Sequence, residues 1–118
     1  MSQHRSLIGV VGGTGALGSA LAKRWARAGH TVIIGSRAAD KAQALADAWT
    51  AKERLSVSGA SNSEAAARAE IVVVTVPWSA QEATLSEIRE TAKGKIVVDT
   101  TVPVVPPKLM QEIGRAHV

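Results

Sequence analysis

The chain has 118 residues, no cysteine and a formal net charge of +4, enough for one ordinary domain that buries about two-thirds of its unfolded surface. The lack of thiols excludes disulfides and thiolate chemistry and accords with a reducing cytoplasm. No long basic run, leader-type core or membrane-length apolar stretch is present, so neither nucleic acid nor membrane is an expected partner, and a cytoplasmic location is expected.

Leu7 to Val11 is an apolar run of strand length, and Ala16 to Ala28 reads as a helix rich in alanine and leucine. Between them runs Gly12-Gly13-Thr14-Gly15-Ala16-Leu17-Gly18, in which Gly13, Gly15 and Gly18 have the G-x-G-x-x-G spacing. In this setting Gly13 is expected to permit the tight turn and Gly15 to let the backbone approach a pyrophosphate. Gly18 would let the helix pack closely on the sheet. Free N–H groups at the helix start, with the positive end of its dipole, then face the phosphates. A purely structural turn is the alternative, but the strand–turn–helix setting favours a nucleotide.

The second strand, Thr31 to Ile34, follows about twenty residues after the glycine turn, where an NAD site usually carries an acid for the ribose hydroxyls. Here the chain reads Gly35-Ser36-Arg37, with Lys41 one helical turn further on. No carboxylate stands there to repel a 2′-phosphate. Arg37 offers a planar, bidentate donor set and Lys41 a point charge, so NADP is expected over NAD. The competing reading, two solvated surface charges, does not account for the missing acid.

Ala39 to Glu53 has helical content, with Ala42, Leu45, Ala46 and Trp49 spaced for one buried face, and Leu55 to Ser58 is a short candidate strand. Ser61-x-x-Glu64 has the form of a capping box opening a helix through Ala69. Ile71 to Val76 is nearly continuous and β-branched, as a central parallel strand covered on both faces should be, and Pro77 ends it. A second box, Ser79-x-x-Glu82, is expected to start a helix toward Thr91, and Lys95 to Asp99 supplies a fifth strand before Pro103, Pro106 and Pro107. This alternation predicts an α/β fold: a doubly wound parallel sheet (Rossmann-type) of about five strands with right-handed crossovers.

Ligands of such sheets lie beyond the carboxyl ends of the strands. Val76, Pro77 and Trp78 arrive there, and the Trp78 indole is expected either to cover the nucleotide near its nicotinamide or to serve only as a rim aromatic. Asp99 is read as a turn residue rather than as a lining group beside Thr100 and Thr101. His30 lies in a helix-to-strand connection on the far side, where a structural role is expected, and His4 and His117 form no catalytic pair. No metal cluster and no nucleophile–base set appears, so no catalytic side chain is assigned. That suits hydride transfer, in which a cofactor carries the chemistry and the protein orients it.

Taken together, Gly12 to Gly18, Ala28-Gly29-His30, Ile34-Gly35-Ser36-Arg37, Thr75-Val76-Pro77-Trp78 and Ile96-Val97-Val98-Asp99 resemble the NADPH-dependent reductases of the deazaflavin coenzyme F420. The likeness runs from about Leu7 to Pro107. It implies reversible hydride transfer between NADP and coenzyme F420. It also implies that the residues matching Thr14, Gly15, Ala16 and Leu17 hold the pyrophosphate, and that Ser36, Arg37 and Lys41 hold the 2′-phosphate. Trp78 would then lie at the nicotinamide end, and proximity would supply most of the rate. Members of that family continue into a C-terminal part that completes the deazaflavin pocket and a homodimer. The present chain is therefore expected to be an NADP-binding domain over 1–107 with a short tail at 108–118, incomplete at its C-terminus and without turnover alone. Residues 112–118 resemble the translation of a sequencing adapter and are expected to be non-native. The alternatives are the NADP domain of another reductase, acting on imines, pyrroline carboxylate or a metal, and a non-enzymatic NADP-sensing module.

Overall fold

The computed structural model describes residues 6–100; the expectations for His4, Thr101, the three late prolines, His117 and the tail at 108–118 lie outside them. Five strands, β1 (Leu7–Val11), β2 (Thr31–Ser36), β3 (Val57–Ser61), β4 (Ile71–Val74) and β5 (Ile96–Asp99), form one sheet in the order β3-β2-β1-β4-β5. All four ladders are parallel, with β1 at the centre between β2 and β4. Four helices connect them: α1 (Ala16–Arg27), α2 (Ala39–Lys52), α3 (Asn62–Arg68) and α4 (Gln81–Ile88), the last preceded by a 3-10 turn at Trp78–Ala80.

The two faces of the sheet carry separate cores, as the alternation of side chains along each strand requires. Ile8 and Val10 of β1, Val32 and Ile34 of β2 and Val73 of β4 pack with Ala22 and Ala26 of α1 and Ala42, Ala46 and Trp49 of α2. On the opposite face Val11, Val72 and Val74 meet Ala66 and Ala69 from the α3 region and Ile88 of α4, while Ile33 meets Ala60 and Ala65. The alanine-rich helices can approach closely because their contact surfaces are one methyl deep. The expected buried face of the second helix is confirmed at Ala42, Ala46 and Trp49, with Leu45 packed at its edge.

Several element boundaries differ from expectation; β4, for one, ends at Val74 rather than Val76. The third strand is not Leu55–Ser58 but Val57–Ser61. Its small residues are selected by packing, since a Cβ at Gly59 would sit 2.2 Å from the carbonyl carbon of Ala42 in α2. Ser61 caps α3 as its capping-box pattern predicts, accepting a 3.1 Å hydrogen bond from the Glu64 N–H. The second box fails. Ser79 lies inside the 3-10 turn closed by Ala80 N–H onto the Pro77 carbonyl at 2.9 Å, so α4 begins at Gln81 with no side-chain cap. A capping serine needs the extended backbone that Ser61 has and a 3-10 residue lacks.

Candidate functional site

The sheet order makes β1 and β4 neighbours although α1 leaves β1 on one face and α3 enters β4 from the other. Such a switch point leaves a crevice at the carboxyl ends of the strands. A cleft of about 390 Å³ occupies it, lined by Gly12, Thr14 and Gly15 after β1, by Ser36, Arg37, Ala38 and Lys41 after β2, and by Asn62 at the start of α3. Thr75, Val76, Pro77, Ala80 and Thr84 close the β4 side.

The glycine turn forms one wall, and its roles are distributed differently from the expectation. The residue at positive φ is Gly12, at +79°, so Gly12 rather than Gly13 makes the tight turn. Gly13 instead donates its N–H to the Gly35 carbonyl at 2.8 Å, and a Cβ there would stand 2.7 Å from Ile34 Cγ2. It must be bare to lie against β2. Gly18 is bare for the expected reason: a Cβ would come within 2.5 Å of both Gly12 O and Thr75 Oγ1, pushing α1 off the sheet. At Gly15 the nearest atom to an added Cβ is Gly12 O at 3.4 Å, so this backbone is open to the cleft. Gly15 is also the N-cap of α1, with no side-chain cap and no acid in the first turn. The opening N–H groups of the helix, from Ala16, Leu17 and Gly18, have no intrahelical acceptor. Ala16 and Leu17 are exposed and are not among the residues that line the cleft.

The opposite wall is cationic. Ser36, buried at the end of β2, accepts a 3.2 Å bond from the Ala38 N–H through Oγ, which shapes the turn into α2 and leaves the hydroxyl proton available. Arg37 and Lys41 are exposed at the cleft. Among the described residues neither forms an ion pair, and no Asp or Glu lines the cleft. Two unneutralised cations beside an open backbone cradle attract an anion, and the short Ser-Arg turn suits a planar phosphate contact.

Sequence reasoning missed the residues that join these walls. Asn62 is 2% exposed and its Oδ1 accepts the Gly12 N–H at 3.2 Å. Thr75, also buried, donates its hydroxyl to the Val11 carbonyl at 2.9 Å and ties the end of β4 to β1. Ala38, Ala80 and Thr84 line the cleft without any motif to announce them. Asn62 alone carried a signal: it follows a strand end inside a capping box, on the ligand edge of the sheet. Trp78 stands 53% exposed on the 3-10 turn, next to Pro77 but outside the cleft lining. Asp99 accepts a hydrogen bond from Gln81 Nε2, and Thr100 bonds the Val74 carbonyl through its N–H and its hydroxyl at 3.0 and 2.7 Å. His30 accepts the Ser6 N–H through Nδ1 at 3.1 Å, a structural contact remote from the cleft, as expected. Among the described residues no acidic, histidine or cysteine group could hold a metal, and no helix is long and apolar enough to cross a membrane.

The family model described as NADP oxidoreductase coenzyme F420-dependent matches residues 7–103. An F420-dependent NADP reductase of Methanothermobacter marburgensis is 49% identical over 100 residues, covering 82% of this chain and 45% of the relative. The reductase of the same name from Methanocaldococcus jannaschii is 37% identical over 103 residues, covering 81% of this chain and 45% of the relative. Among solved structures, a putative F420-dependent NADP-reductase from Arthrobacter sp. FB24 superposes with a TM-score of 0.69 at 30% identity, over 88% of this chain and 48% of that one. The chain thus spans about half the length of the relatives it matches. Across that span, with its glycine turn, cationic corner and doubly wound sheet, it belongs to the family of F420-dependent NADP oxidoreductases.

Proposed function

We propose that the cleft binds NADP(H), and that the chain is the NADP-binding half of an enzyme that moves a hydride between NADP and coenzyme F420. One observation carries the reading: Arg37 and Lys41 face the cleft without a carboxylate partner, beside the open Gly12–Gly15 turn. The 2′-phosphate goes to Ser36, Arg37 and Lys41, and the pyrophosphate to Thr14, Gly15 and the N–H groups of Ala16, Leu17 and Gly18. The β4 side, with Val76 and Pro77, covers the nucleotide, and the exposed Trp78 is assigned to the nicotinamide end. The nicotinamide supplies the hydride chemistry when bound. This chain's residues bind and orient, and no side chain need transfer a proton. The names of the relatives supply the second substrate, and their additional length is where we place the deazaflavin pocket and a homodimer contact.

The test is a titration of wild type and Arg37→Ala with NADPH and NADH. Losing charge-assisted bonds of about 1.5–3 kcal/mol should weaken NADPH binding roughly 10- to 100-fold. NADH, lacking the 2′-phosphate, should change little. Equal losses for both nucleotides would remove the phosphate role from this corner. For the whole enzyme, bleaching of oxidised F420 on adding NADPH is expected, and unchanged absorbance would count against the hydride acceptor.

A further inference from the structure

We propose that Asn62 is a two-sided clamp. Its amide oxygen holds the glycine turn in shape, and its amide NH₂ donates to an oxygen of the ribose–phosphate link that joins the two phosphate sites of the bound dinucleotide. The proposal rests on the NADP reading above and adds to it a residue that no motif assigns.

The geometry is specific. Asn62 opens α3 at the carboxyl end of β3 and reaches across β2 toward β1. Gly35 of β2 makes room for it: a Cβ there would lie 3.0 Å from Asn62 Oδ1 and 3.3 Å from its Cα. Beyond Gly35 the side chain meets the Gly12 N–H. Since that N–H is a donor, the amide oxygen must face it, and the NH₂ group, a pure donor, is left over. Burying a donor without an acceptor is costly. Among the described residues the NH₂ has no hydrogen-bond partner, yet it is not sealed from solvent, and Asn62 lines the cleft. The unused donor is therefore presented to whatever fills the cleft.

Its neighbours identify the class of acceptor. Asn62 touches Gly12, the first residue of the pyrophosphate turn, and Gly35, the residue before Ser36 and Arg37. It stands between the two anion sites, where a dinucleotide places the oxygens of its adenosine ribose and 5′-phosphate. A side chain needed only to satisfy Gly12 would require an acceptor and nothing more. Asparagine supplies an acceptor and a donor at a fixed angle.

Asn62→Asp separates the two functions, because a carboxylate still accepts the Gly12 N–H but donates nothing. Thermal melting of this variant should stay cooperative with a modest drop in midpoint, because the nearly buried carboxylate keeps the Gly12 bond but is desolvated, while NADPH binding weakens about tenfold or more. A new negative charge near phosphates also repels, and at a nearly buried position salt screens it only weakly. Repulsion of the 2′-phosphate would weaken NADPH more than NADH, whereas losing a donor to the ribose–phosphate link, common to both nucleotides, should weaken the two by similar factors. A ratio of wild-type to variant affinity near one, or a loss confined to NADPH, would reduce Asn62 to a support of the turn and overturn the proposal. The wild-type protein gives an independent readout by NMR: the Asn62 side-chain amide protons should shift and exchange more slowly on adding NADPH, and unchanged signals would overturn it as well. Failure of the wild type to bind millimolar NADPH would instead refute the NADP reading itself, which keeps the two failures distinct.

Discussion

β4 and β5 are neighbouring strands spelled almost alike, Ile-Val-Val-Val and Ile-Val-Val-Asp, yet their surroundings are opposite. Val72 and Val74 of β4 are fully buried, whereas Ile96, Val97 and Val98 of β5 are 64%, 43% and 44% exposed. Val72 and Val97 are even register partners, so they project to the same face of the sheet. The difference is cover. β4 lies inside the sheet, with residues of α3 and α4 packed on one face and Val73 joined to the α1 core on the other. β5 is the edge strand of the sheet among the described residues. β-branched sequence describes what a strand can bury, while neighbouring elements decide what it does bury.

A charge placed on each member of the pair should separate the two strands most strongly. Val72→Asp places an unpaired carboxylate in the α3–α4 core at a cost of several kcal/mol, a large part of the roughly 5–15 kcal/mol that holds a domain together. Circular dichroism should show loss of cooperative unfolding. Val97→Asp should change stability by no more than about 0.5 kcal/mol. It should also reduce self-association in light scattering, because charge on an exposed edge strand blocks pairing. Similar destabilisation by both would mean that β5 is covered in solution.

Two identical capping patterns sharpen the same lesson on a smaller scale. Ser61→Ala removes the bond from Glu64 N–H and should lower stability by about 1 kcal/mol. Ser79→Ala removes no cap and should shift the denaturation midpoint by at most a few tenths of a kcal/mol. Equal effects would show that Ser79 caps α4 after all.

The smallest effect expected is a pH dependence. Arg27 donates two hydrogen bonds to Glu53, at 2.9 and 2.8 Å, tying the end of α1 to the end of α2. These bonds hold the Glu53 carboxyl below its ordinary range, with the Arg27 charge adding to them. A carboxyl depressed in the folded state stabilises above its unfolded pKa, and that contribution fades as pH falls through the folded value. The pair is exposed, so its share is small. Glu53→Gln should lower Tm slightly in the neutral region, where the pair is intact, and leave it almost unchanged at the acid extreme, so that the acid limb becomes slightly flatter. An unaltered acid limb would show the pair to be energetically silent.

Much of this was legible because it is local. The strand–turn–helix around Gly12 to Gly18, the Ser61 cap and the strand in the run Ile71 to Val76, which the structure ends at Val74, follow from backbone conformation and periodicity, which a short stretch of chain specifies by itself. Misreadings arose where a distant element intervenes. The third strand moved to Val57–Ser61 because α2 presses on Gly59, and the turn role passed from Gly13 to Gly12 because β2 claims Gly13. The candidate site divides the same way. Arg37 and Lys41 stood out by position and charge, whereas Thr75, Thr84 and the bridging role of Asn62 gained meaning only when the sheet brought β1, β3 and β4 to one crevice.

The amino-acid order alone therefore determined the alternation of strand and helix, the bare turn and the cation-bearing corner after the second strand, since each depends on contacts within a few residues. The three-dimensional fold decided which glycine bends, which valines are buried and which asparagine bridges the two walls. Those outcomes depend on atoms far apart in sequence meeting at van der Waals or hydrogen-bond distance, which no local pattern encodes.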